Sequence, residues 1–416
     1  MLYYFVKITL LLWQRIYFKR IFISGTGNIP QDKPAFLASN HSNGFLDGVM
    51  VSALLVPKPT RIFVRGDVFN KSWANFVLRS LKLIPIFRAR DGDARTNLVN
   101  NNQSFDQLYE EFKRNRVVLI FPEADAQIEK RLRPLKKGMA RMIIDMQSRE
   151  DGKMRVAVVP FGLNYTHYKD HRNELMIRFD KVVYIDDFMD DSGNERAAYN
   201  RLTKHTEEAI RRNMVDVPNE DEALVEVALR MVRKFYPYPI TKFWIGNTDR
   251  LQKEIDVANR VKADESVKVE LEKYQNLLSQ NNLNEVGVNP IKFWDYIYVA
   301  LAIIPGFISW NIMKWGLLYG KRVVDARIKK DELYESVYFG IGMAWNWILV
   351  LVGYPIALIF FGWKGALAWF LIRWFSIPYQ HCIEILERIR EHKKWKSAPS
   401  VVSEQRQKLV QIFNLK

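Results

Sequence analysis

PAFLASNHSNGFLDG, residues 34–48, joins an apolar run to a turn-rich segment that leads into a helix. The apolar half, residues 34–39, is typical of a buried strand. His41 and Asp47 follow it directly. A histidine whose tautomer is set by a carboxylate can take a proton from a hydroxyl group, so the pair predicts general-base chemistry. The spacing alone is a weak signal, because a histidine and an aspartate six positions apart recur often by chance.

Further apolar runs extend the pattern and indicate the fold class. They alternate with helical stretches near residues 70–83, 96–114 and 136–149. The runs are RIFVR (61–65), LIPIF (83–87), VVLIFPE (117–123) and VAVVPFGLNY (156–165). This order predicts an α/β fold with a largely parallel or mixed sheet flanked by helices. In such sheets functional residues gather at one edge, near the strand ends.

Composition restricts the class of partner. The 416 residues carry 62 Lys and Arg against 46 Asp and Glu, a net charge of +16, and include 12 Trp, 18 Tyr and 25 Phe. A basic, aromatic-rich chain suits an anionic membrane surface or nucleic acid. The basic residues are scattered and no nucleic-acid-binding module signature occurs, so we expect no nucleic-acid partner.

Cysteine and histidine usage argue against a metal site. Cys382 is the only cysteine, so an intramolecular disulfide or a cysteine metal cluster is impossible, which fits a reducing compartment. The six histidines show no metal-ligand spacing. We predict no metal.

The N-terminal segment 2–23 is apolar but interrupted by charge, and it shows no cleavable signal, so we expect it to be retained. On a helix, Lys7, Gln14, Arg15 and Lys19 fall in one sector of roughly 140° and leave a wide apolar face. This pattern predicts an interfacial helix on a membrane; the alternative is a helix docked on the protein's own core.

From about residue 291 the chain becomes membrane-like in two apolar segments, 293–320 and 337–379. The loop between the two segments and the tail after the second segment are both basic. Basic stretches favour the cytosolic side, and an odd number of crossings would place one of these two stretches on the opposite side. Pro305-Gly306 lies near the middle of the first segment, and Gly353-Tyr354-Pro355 and Gly362 to Gly365 interrupt the second. We therefore favour re-entrant or paired helices over an odd number of crossings.

These observations divide the chain as follows: an amphipathic membrane-interface helix (1–25), an α/β domain (26–235), a polar helical segment (236–290), membrane-embedded helical hairpins (291–380) and a basic cytosolic tail (381–416). The charge-rich stretches between residues 185 and 290 are typical of solvated helix faces, and we assign no chemistry to them.

Four segments in order resemble the motifs of the glycerolipid acyltransferases, the glycerol-phosphate and lysophosphatidate acyltransferases, over roughly residues 20–235. Asn40, His41 and Asp47 match the first motif, with five residues between His and Asp instead of the usual four, a spacing that a glycerol-phosphate-type subgroup shares. LIPIFRAR matches the second with Arg88, beside Arg90. The fourth, a strand that reaches a proline, is matched by Pro160.

The third motif is matched in part. Phe121, Pro122 and Glu123 agree with the Phe-Pro-Glu-Gly-Thr-Arg of many members, whereas residues 124–126 are Ala-Asp-Ala. Alanine in place of glycine cannot adopt a positive φ cheaply. The family's arginine helps to hold the acceptor phosphate. That charge could come from the basic run that follows, or the run could be a surface facing anionic lipid; its members are Lys130, Arg131, Arg133, Lys136 and Lys137.

The resemblance implies a membrane-bound enzyme that transfers a fatty acyl group from acyl-CoA or acyl carrier protein to glycerol 3-phosphate or 1-acylglycerol 3-phosphate. His41 would be the general base and Asp47 its partner. Acceptor binding would fall to Arg88, Arg90, Glu123, Lys136, Lys137 and Pro160. The thioester donor is a substrate, and no cofactor is expected. We expect the active site at the cytosolic face of an anionic membrane.

Two other functions stay open. The altered third motif fits acylation of a different lyso-lipid, such as an aminolipid. A catalytically silent lipid-binding scaffold would keep the same fold without turnover.

Overall fold

A computed structural model describes residues 2–55, 60–87, 94–149, 154–169, 171–189, 193–247 and 249–415. Its strands form one sheet in the order β4-β3-β5-β2-β6-β7-β1-β9, with β8 paired to β6. The strands are β1 (Arg20–Ser24), β2 (Ala35–Ser39), β3 (Arg61–Arg65), β4 (Leu83–Ile86), β5 (Val117–Ile120), β6 (Ala157–Tyr165), β7 (Glu174–Phe179), β8 (Val183–Tyr184) and β9 (Trp244–Ile245).

The sheet is mixed, as predicted. Strands β2, β3, β4, β5 and β6 run parallel to their neighbours in that group, whereas β7 and β8 pair antiparallel with β6. All residues of β2, β5 and β6 are buried. A strand covered on both faces reads as a continuous apolar run, which is why these strands are visible in the sequence.

Helices cover the sheet and continue beyond it. They are α1 (Leu2–Tyr17), α2 (Gly44–Leu54), α3 (Ser72–Ser80), α4 (Ala94–Lys113), α5 (Gly138–Ser148), α6 (Glu195–Arg212), α7 (Glu222–Phe235), α8 (Asp249–Ala263), α9 (Glu265–Gln280), α10 (Phe293–Arg327), α11 (Asp331–Ile348), α12 (Tyr354–Trp374), α13 (Ser376–Lys396) and α14 (Ser400–Ile412). A π-helix, Leu349–Gly353, joins α11 to α12. Single 3₁₀ turns are Thr26–Asn28, Gly66–Phe69, Ile185–Phe188 and Glu285–Gly287.

The N-terminal segment differs from the expected helix over 2–23. The helix α1 ends at Tyr17, because residues 20–24 pair in parallel with β7 and become β1. Its polar sector faces the protein: Gln14 is fully buried, and the buried Lys7 ammonium donates to the carbonyl of Leu55. Its apolar residues Leu2, Tyr4, Phe5, Ile8 and Leu12 are exposed instead.

The first apolar segment also differs from expectation. The helix α10 continues through Pro305 for 35 residues, so the first segment is one helix and not a hairpin of its own. Tight packing supports the helix there: a Cβ on Gly306 would lie 2.6 Å from the Cβ of Tyr379 on α13. Helices among apolar neighbours tolerate a proline when packing supports the kinked turn.

The second apolar segment does reverse. Gly362, with φ 64° and ψ −167°, is non-helical and splits α12 into two arms.

Two stretches, Phe293–Arg327 and Asp331–Lys396, are long and apolar enough to cross a membrane by length and composition.

Candidate active site

The carboxyl ends of parallel neighbouring strands meet at one edge of the sheet, and His41 lies there, after β2. Its Nδ1 lies 2.9 Å from Oδ2 of Asp47. Since a carboxylate only accepts, Nδ1 donates this hydrogen bond, and in the neutral ring Nε2 is the nitrogen with the lone pair. His41 lines a cavity at this edge, so the ring has the arrangement of a general base.

Asp47 is fully buried, and each of its oxygens has a donor. Besides His41, Oδ2 accepts the backbone N–H groups of Ser42 at 2.8 Å and Asn43 at 2.9 Å. Oδ1 accepts the hydroxyl of Tyr165 at 2.8 Å. Asp47 also lies in the first turn of α2, where the helix dipole favours negative charge. The spacing of five residues is therefore compatible with a closed His–Asp pair, since the helix begins directly after the loop.

Tyr165 was not predicted from the sequence. It is the last residue of β6, and β6 pairs in parallel with β2, so its side chain reaches the same edge as His41. Burial and then the charge of Asp47 raise the pKa of the Tyr165 phenol well above its ordinary value. The phenol is therefore a permanent donor. Its place at a strand end is a signal that sequence reading could have used.

Asn40 connects β2 and β6 just beyond the last backbone pair between these two strands. Its side-chain amide donates to the carbonyl of Leu163 at 2.9 Å and accepts the N–H of Leu163 at 2.8 Å. The side chain thus replaces a backbone pair at the end of β2 and fixes the start of the His41 loop.

Glu123 lies behind the His41 loop. It is not among the described residues that line the cavity. Its Oε1 accepts the backbone N–H of His41 at 2.8 Å, and its Oε2 pairs with Nε of Arg133 at 2.8 Å. Burial raises the pKa of the Glu123 carboxyl, and Arg133 opposes part of that rise. The ring of Phe121 stacks on His41 with centroids 3.9 Å apart and an interplanar angle of 8°. The third motif therefore supports the first through two different contacts.

Ala124 occupies the position of the family's glycine and has a φ of +74°. An L-residue with a Cβ is strained there, by about 1 kcal/mol, and glycine is not. The backbone of the third motif thus keeps a glycine conformation although the glycine is absent.

The cavity in front of His41 has a volume of about 480 Å³. Much of its wall is apolar and comes from α2, β3, β4 and α5, including Val49, Ile62, Val64, Leu83, Ile86, Met139 and Met142. Its charged residues are Arg65, Asp67, Asp125, Lys136, Lys330 and Glu332. An apolar wall beside a charged one suits a molecule with a hydrocarbon part and a polar headgroup.

The other predicted binding residues divide into three groups. Lys136 lines the cavity. Lys137, the exposed N-cap of α5, and Pro160, a buried mid-strand residue of β6, are not on its described wall. Arg88 and Arg90 lie outside the described residues.

The remaining members of the basic run lie away from the described cavity wall. Lys130 turns to α7, where its Nζ lies 2.9 Å from Glu226. Arg133 is held by Glu123, and Arg131 is exposed. The run therefore supplies one cation, Lys136, to the described cavity wall.

The C-terminal region also contributes to the site. Leu333, at the start of α11, lines the cavity, and the hydroxyl of Ser336 accepts the N–H of Leu46 at 3.0 Å and donates to the carbonyl of Asn43 at 3.2 Å. A Cβ on Gly44 would lie 2.8 Å from the carbonyl oxygen of Glu332. No sequence pattern connects these two regions, which are about 290 residues apart.

Comparison with known proteins agrees with these motifs. Residues 20–164 match the Acyltransferase family model. Over 88 residues, 21% of this chain, the sequence is 30% identical to glycerol-3-phosphate O-acyltransferase 2 of Saccharomyces cerevisiae (strain ATCC 204508 / S288c). The match spans 12% of that relative's length.

Among solved structures, the 1-acyl-sn-glycerophosphate (LPA) acyltransferase PlsC from Thermotoga maritima aligns with a TM-score of 0.34 and 15% identity, over 49% of this chain and 79% of that one. The family match covers His41, Asp47 and Glu123, and it ends one residue before Tyr165. Residues 20–164, about a third of the chain, are thus similar to the Acyltransferase family, and a shorter stretch is similar to a glycerol-3-phosphate O-acyltransferase.

Proposed function

We propose that this protein is a membrane-bound O-acyltransferase with glycerol 3-phosphate or 1-acylglycerol 3-phosphate as acceptor and an acyl thioester as donor. The observation that supports this most is His41, paired with the buried Asp47, on the wall of a cavity that is partly apolar and partly charged. The donor is acyl-CoA or acyl carrier protein, and the reaction needs no redox or metal cofactor.

In the proposed mechanism, Nε2 of His41 removes the proton of the acceptor hydroxyl as its oxygen attacks the thioester carbonyl. Asp47 holds the ring and stabilises the imidazolium that forms. The C–O bond forms, the C–S bond breaks, and the departing thiolate takes the proton back from His41. The products are an ester and a free thiol, and His41 is neutral again.

Each part of the cavity has a role in this proposal. The apolar wall holds the acyl chain, and Lys136 attracts the acceptor phosphate, together with Arg88 and Arg90 as the resemblance implies. Glu123 positions His41, since both of its oxygens are engaged by the loop and by Arg133. The exposed apolar face of α1 and the apolar C-terminal helices support a position of the cavity at a membrane, where the lipid substrates reside.

A second acceptor class is favoured by one observation. Asp125 and Glu332 line the cavity beside Lys136 and Lys330, so the wall offers anionic as well as cationic partners. A lyso-lipid with an amino group in its headgroup would use both signs of charge.

The test is a turnover assay with purified, detergent-solubilised protein. Palmitoyl-CoA is offered with glycerol 3-phosphate, lysophosphatidate or a lyso-aminolipid, and thiol release and lipid product are measured. We expect product from one phosphate acceptor, and its loss in His41→Ala. His205→Ala is the matched control, because that histidine lies on α6 against Phe188 and outside the described cavity wall.

The outcomes separate the proposals. Product from the aminolipid alone would support the second acceptor class. If palmitoyl-CoA gives no turnover, the same acceptors are tested with palmitoyl-acyl carrier protein. No turnover with either donor would contradict an enzyme and favour a lipid-binding scaffold.

A further inference from the structure

We infer that the apolar C-terminal region enters the bilayer as one hairpin, residues 349–374, while α10 lies in the membrane plane on the surface of the catalytic domain. Both ends of the region then stay on the side of the membrane that holds the catalytic domain. The inference rests on contacts along α10 and needs no assumption about the reaction.

The chain is held to the domain just before α10 begins. Glu285 is buried and pairs with Arg406 of α14 at 3.1 Å. The carbonyl of Asn284 accepts the indole N–H of Trp395 at 2.7 Å. The N-terminal end of α10 therefore starts on the polar helical part of the protein.

The other end of α10 is held beside the active site. Asp325, in its last turns, accepts the hydroxyl of Tyr334 at 2.9 Å. Two residues later on α11, Ser336 bonds to the backbone of Leu46 and Asn43. The C-terminal end of α10 is thus next to the His41 loop.

The middle of α10 contacts the same body. Trp310 stacks on His171 of the β6–β7 connection, with ring centroids 5.9 Å apart. Ser309 and Met313 are buried. A helix of 35 residues is about 52 Å long, and one that crossed the membrane would carry one of its ends roughly 30 Å or more away from the domain. Contacts at both ends and at the middle therefore place α10 along the domain surface.

The outer face of α10 fits lipid. Leu301 is 74% exposed, Ile304 70% and Trp315 58%, whereas the inner face carries small residues that allow close packing, such as Gly316 and Gly320. An exposed face of large apolar side chains suits contact with lipid, and the contacts at both ends and the middle decide that α10 lies along the surface.

The exposed face continues onto two neighbouring elements. Phe5 of α1 lies 5.1 Å from Trp347 of α11, centroid to centroid. The outward apolar residues of α1 are therefore continuous with the base of the hairpin. A continuous exposed apolar surface of this kind marks a contact with a membrane or with another protein, and the apolar helices beside it favour the membrane.

The hairpin is the element that projects. Its arms, 349–361 and 363–374, reverse at Gly362, and the indole N–H of Trp369 donates to the carbonyl of Leu349 at 2.9 Å. Near the tip Ile359 is 76% exposed and Phe361 74%. Arms of 12 or 13 residues reach about 18–20 Å, more than one leaflet but less than the roughly 30 Å core.

The tip therefore stays in the hydrocarbon. Lys364 beside it has a flexible stem that can extend its ammonium toward the far headgroups.

The test uses single cysteines in a Cys382→Ser background, labelled with a membrane-impermeant maleimide on sealed vesicles from expressing cells. Lys292→Cys and Lys329→Cys flank α10, Lys364→Cys marks the hairpin tip, and Lys204→Cys on α6 reports the side of the catalytic domain. All four positions are exposed in the structure. Thermal unfolding of each variant checks its fold.

We expect the labelled fractions at positions 292 and 329 to equal the fraction at 204, and position 364 to react only after detergent is added. Labelling of 292 and 329 from opposite sides would overturn the in-plane position of α10. Labelling of 364 from the side opposite 204 would show a complete crossing, and labelling from the same side a hairpin outside the bilayer; either would overturn the inserted hairpin. The readout is independent of turnover, so its failure is distinct from failure of the acyl-transfer proposal.

Discussion

Tyr165 donates its phenol hydrogen to Oδ1 of Asp47 at 2.8 Å, and the two residues are 118 positions apart in the chain. Asp47 in turn contacts His41 through its other oxygen. Tyr165 is thus a positioning residue for the pair. A buried carboxylate oxygen without a hydrogen-bond donor costs free energy. Loss of the Tyr165 hydroxyl should therefore have a measurable effect.

Replacement of Tyr165 by phenylalanine leaves Oδ1 of Asp47 without that donor. We expect kcat to fall about 10-fold, since one lost hydrogen bond to a charged group costs about 1.5 kcal/mol or more, with KM little changed. The pH profile of kcat is the second readout, because a merely structural residue would not move it. Tyr199→Phe is the control, since its hydroxyl bonds to Glu195 on α6, away from the described cavity wall. Equal kcat values for Tyr165→Phe and wild type would contradict the positioning role.

Asp47→Asn tests the partner of His41. The amide keeps an oxygen for the backbone N–H groups of Ser42 and Asn43, but it cannot stabilise an imidazolium as a carboxylate does. We expect turnover to fall by about 10²–10⁴-fold, with little loss of secondary structure by circular dichroism. Turnover within a factor of about three of wild type would exclude the His41–Asp47 mechanism.

Glu123→Gln separates the role that the family resemblance implies from the role that the contacts indicate. If Glu123 holds His41 and Arg133, the variant lowers kcat and leaves KM for the acceptor nearly unchanged. If the carboxylate binds the acceptor, KM rises instead. Steady-state kinetics over a range of acceptor concentration distinguishes the two, and Glu129→Gln is the neighbouring control.

Ala124→Gly should stabilise the protein. The φ of +74° is strained for alanine, while glycine adopts it freely, although the greater freedom of glycine in the unfolded chain offsets part of the gain. We expect the free energy of unfolding to rise by up to about 1 kcal/mol in denaturant titration. Ala126 lies two residues further on and has no positive φ, so Ala126→Gly should lower the free energy of unfolding. A loss of stability in Ala124→Gly would contradict the strained turn.

Stability should depend on Glu226 in acid. Burial alone would raise the pKa of this carboxyl, but Arg233 and Lys130 more than offset burial and lower it to about 2, below its ordinary value of 4.5. A lowered folded-state pKa stabilises the protein above pH 4.5, and this contribution is lost as the pH falls from 4.5 toward 2.

The contribution is on the order of 3 kcal/mol. In Glu226→Gln the free energy of unfolding should therefore vary less over this pH range, whereas Glu208→Gln, whose side chain is 51% exposed, should follow wild type. Parallel pH curves for Glu226→Gln and wild type would contradict the lowered pKa.

Much of the α/β domain was predictable from local pattern. The strands β2 to β6 are short apolar runs because both faces of this part of the sheet are covered, and helices α3, α4 and α5 occupy the expected places. The His41 loop was recognisable because His, Asp and the strand before them are contiguous. The α/β fold with a mixed sheet followed from the alternation of apolar runs with helical stretches, and the resemblance to the acyltransferases followed from the order of the motifs.

The tertiary structure decided what depends on contacts between distant segments. The sequence could not show that Tyr165 bonds to Asp47, that Ser336 holds the His41 loop, or that α10 continues through Pro305. It also could not show that Gln14 of α1 faces the protein. Periodicity reports that a residue is apolar or polar and how often this recurs, but the side that meets protein or lipid is determined only when separate elements pack together.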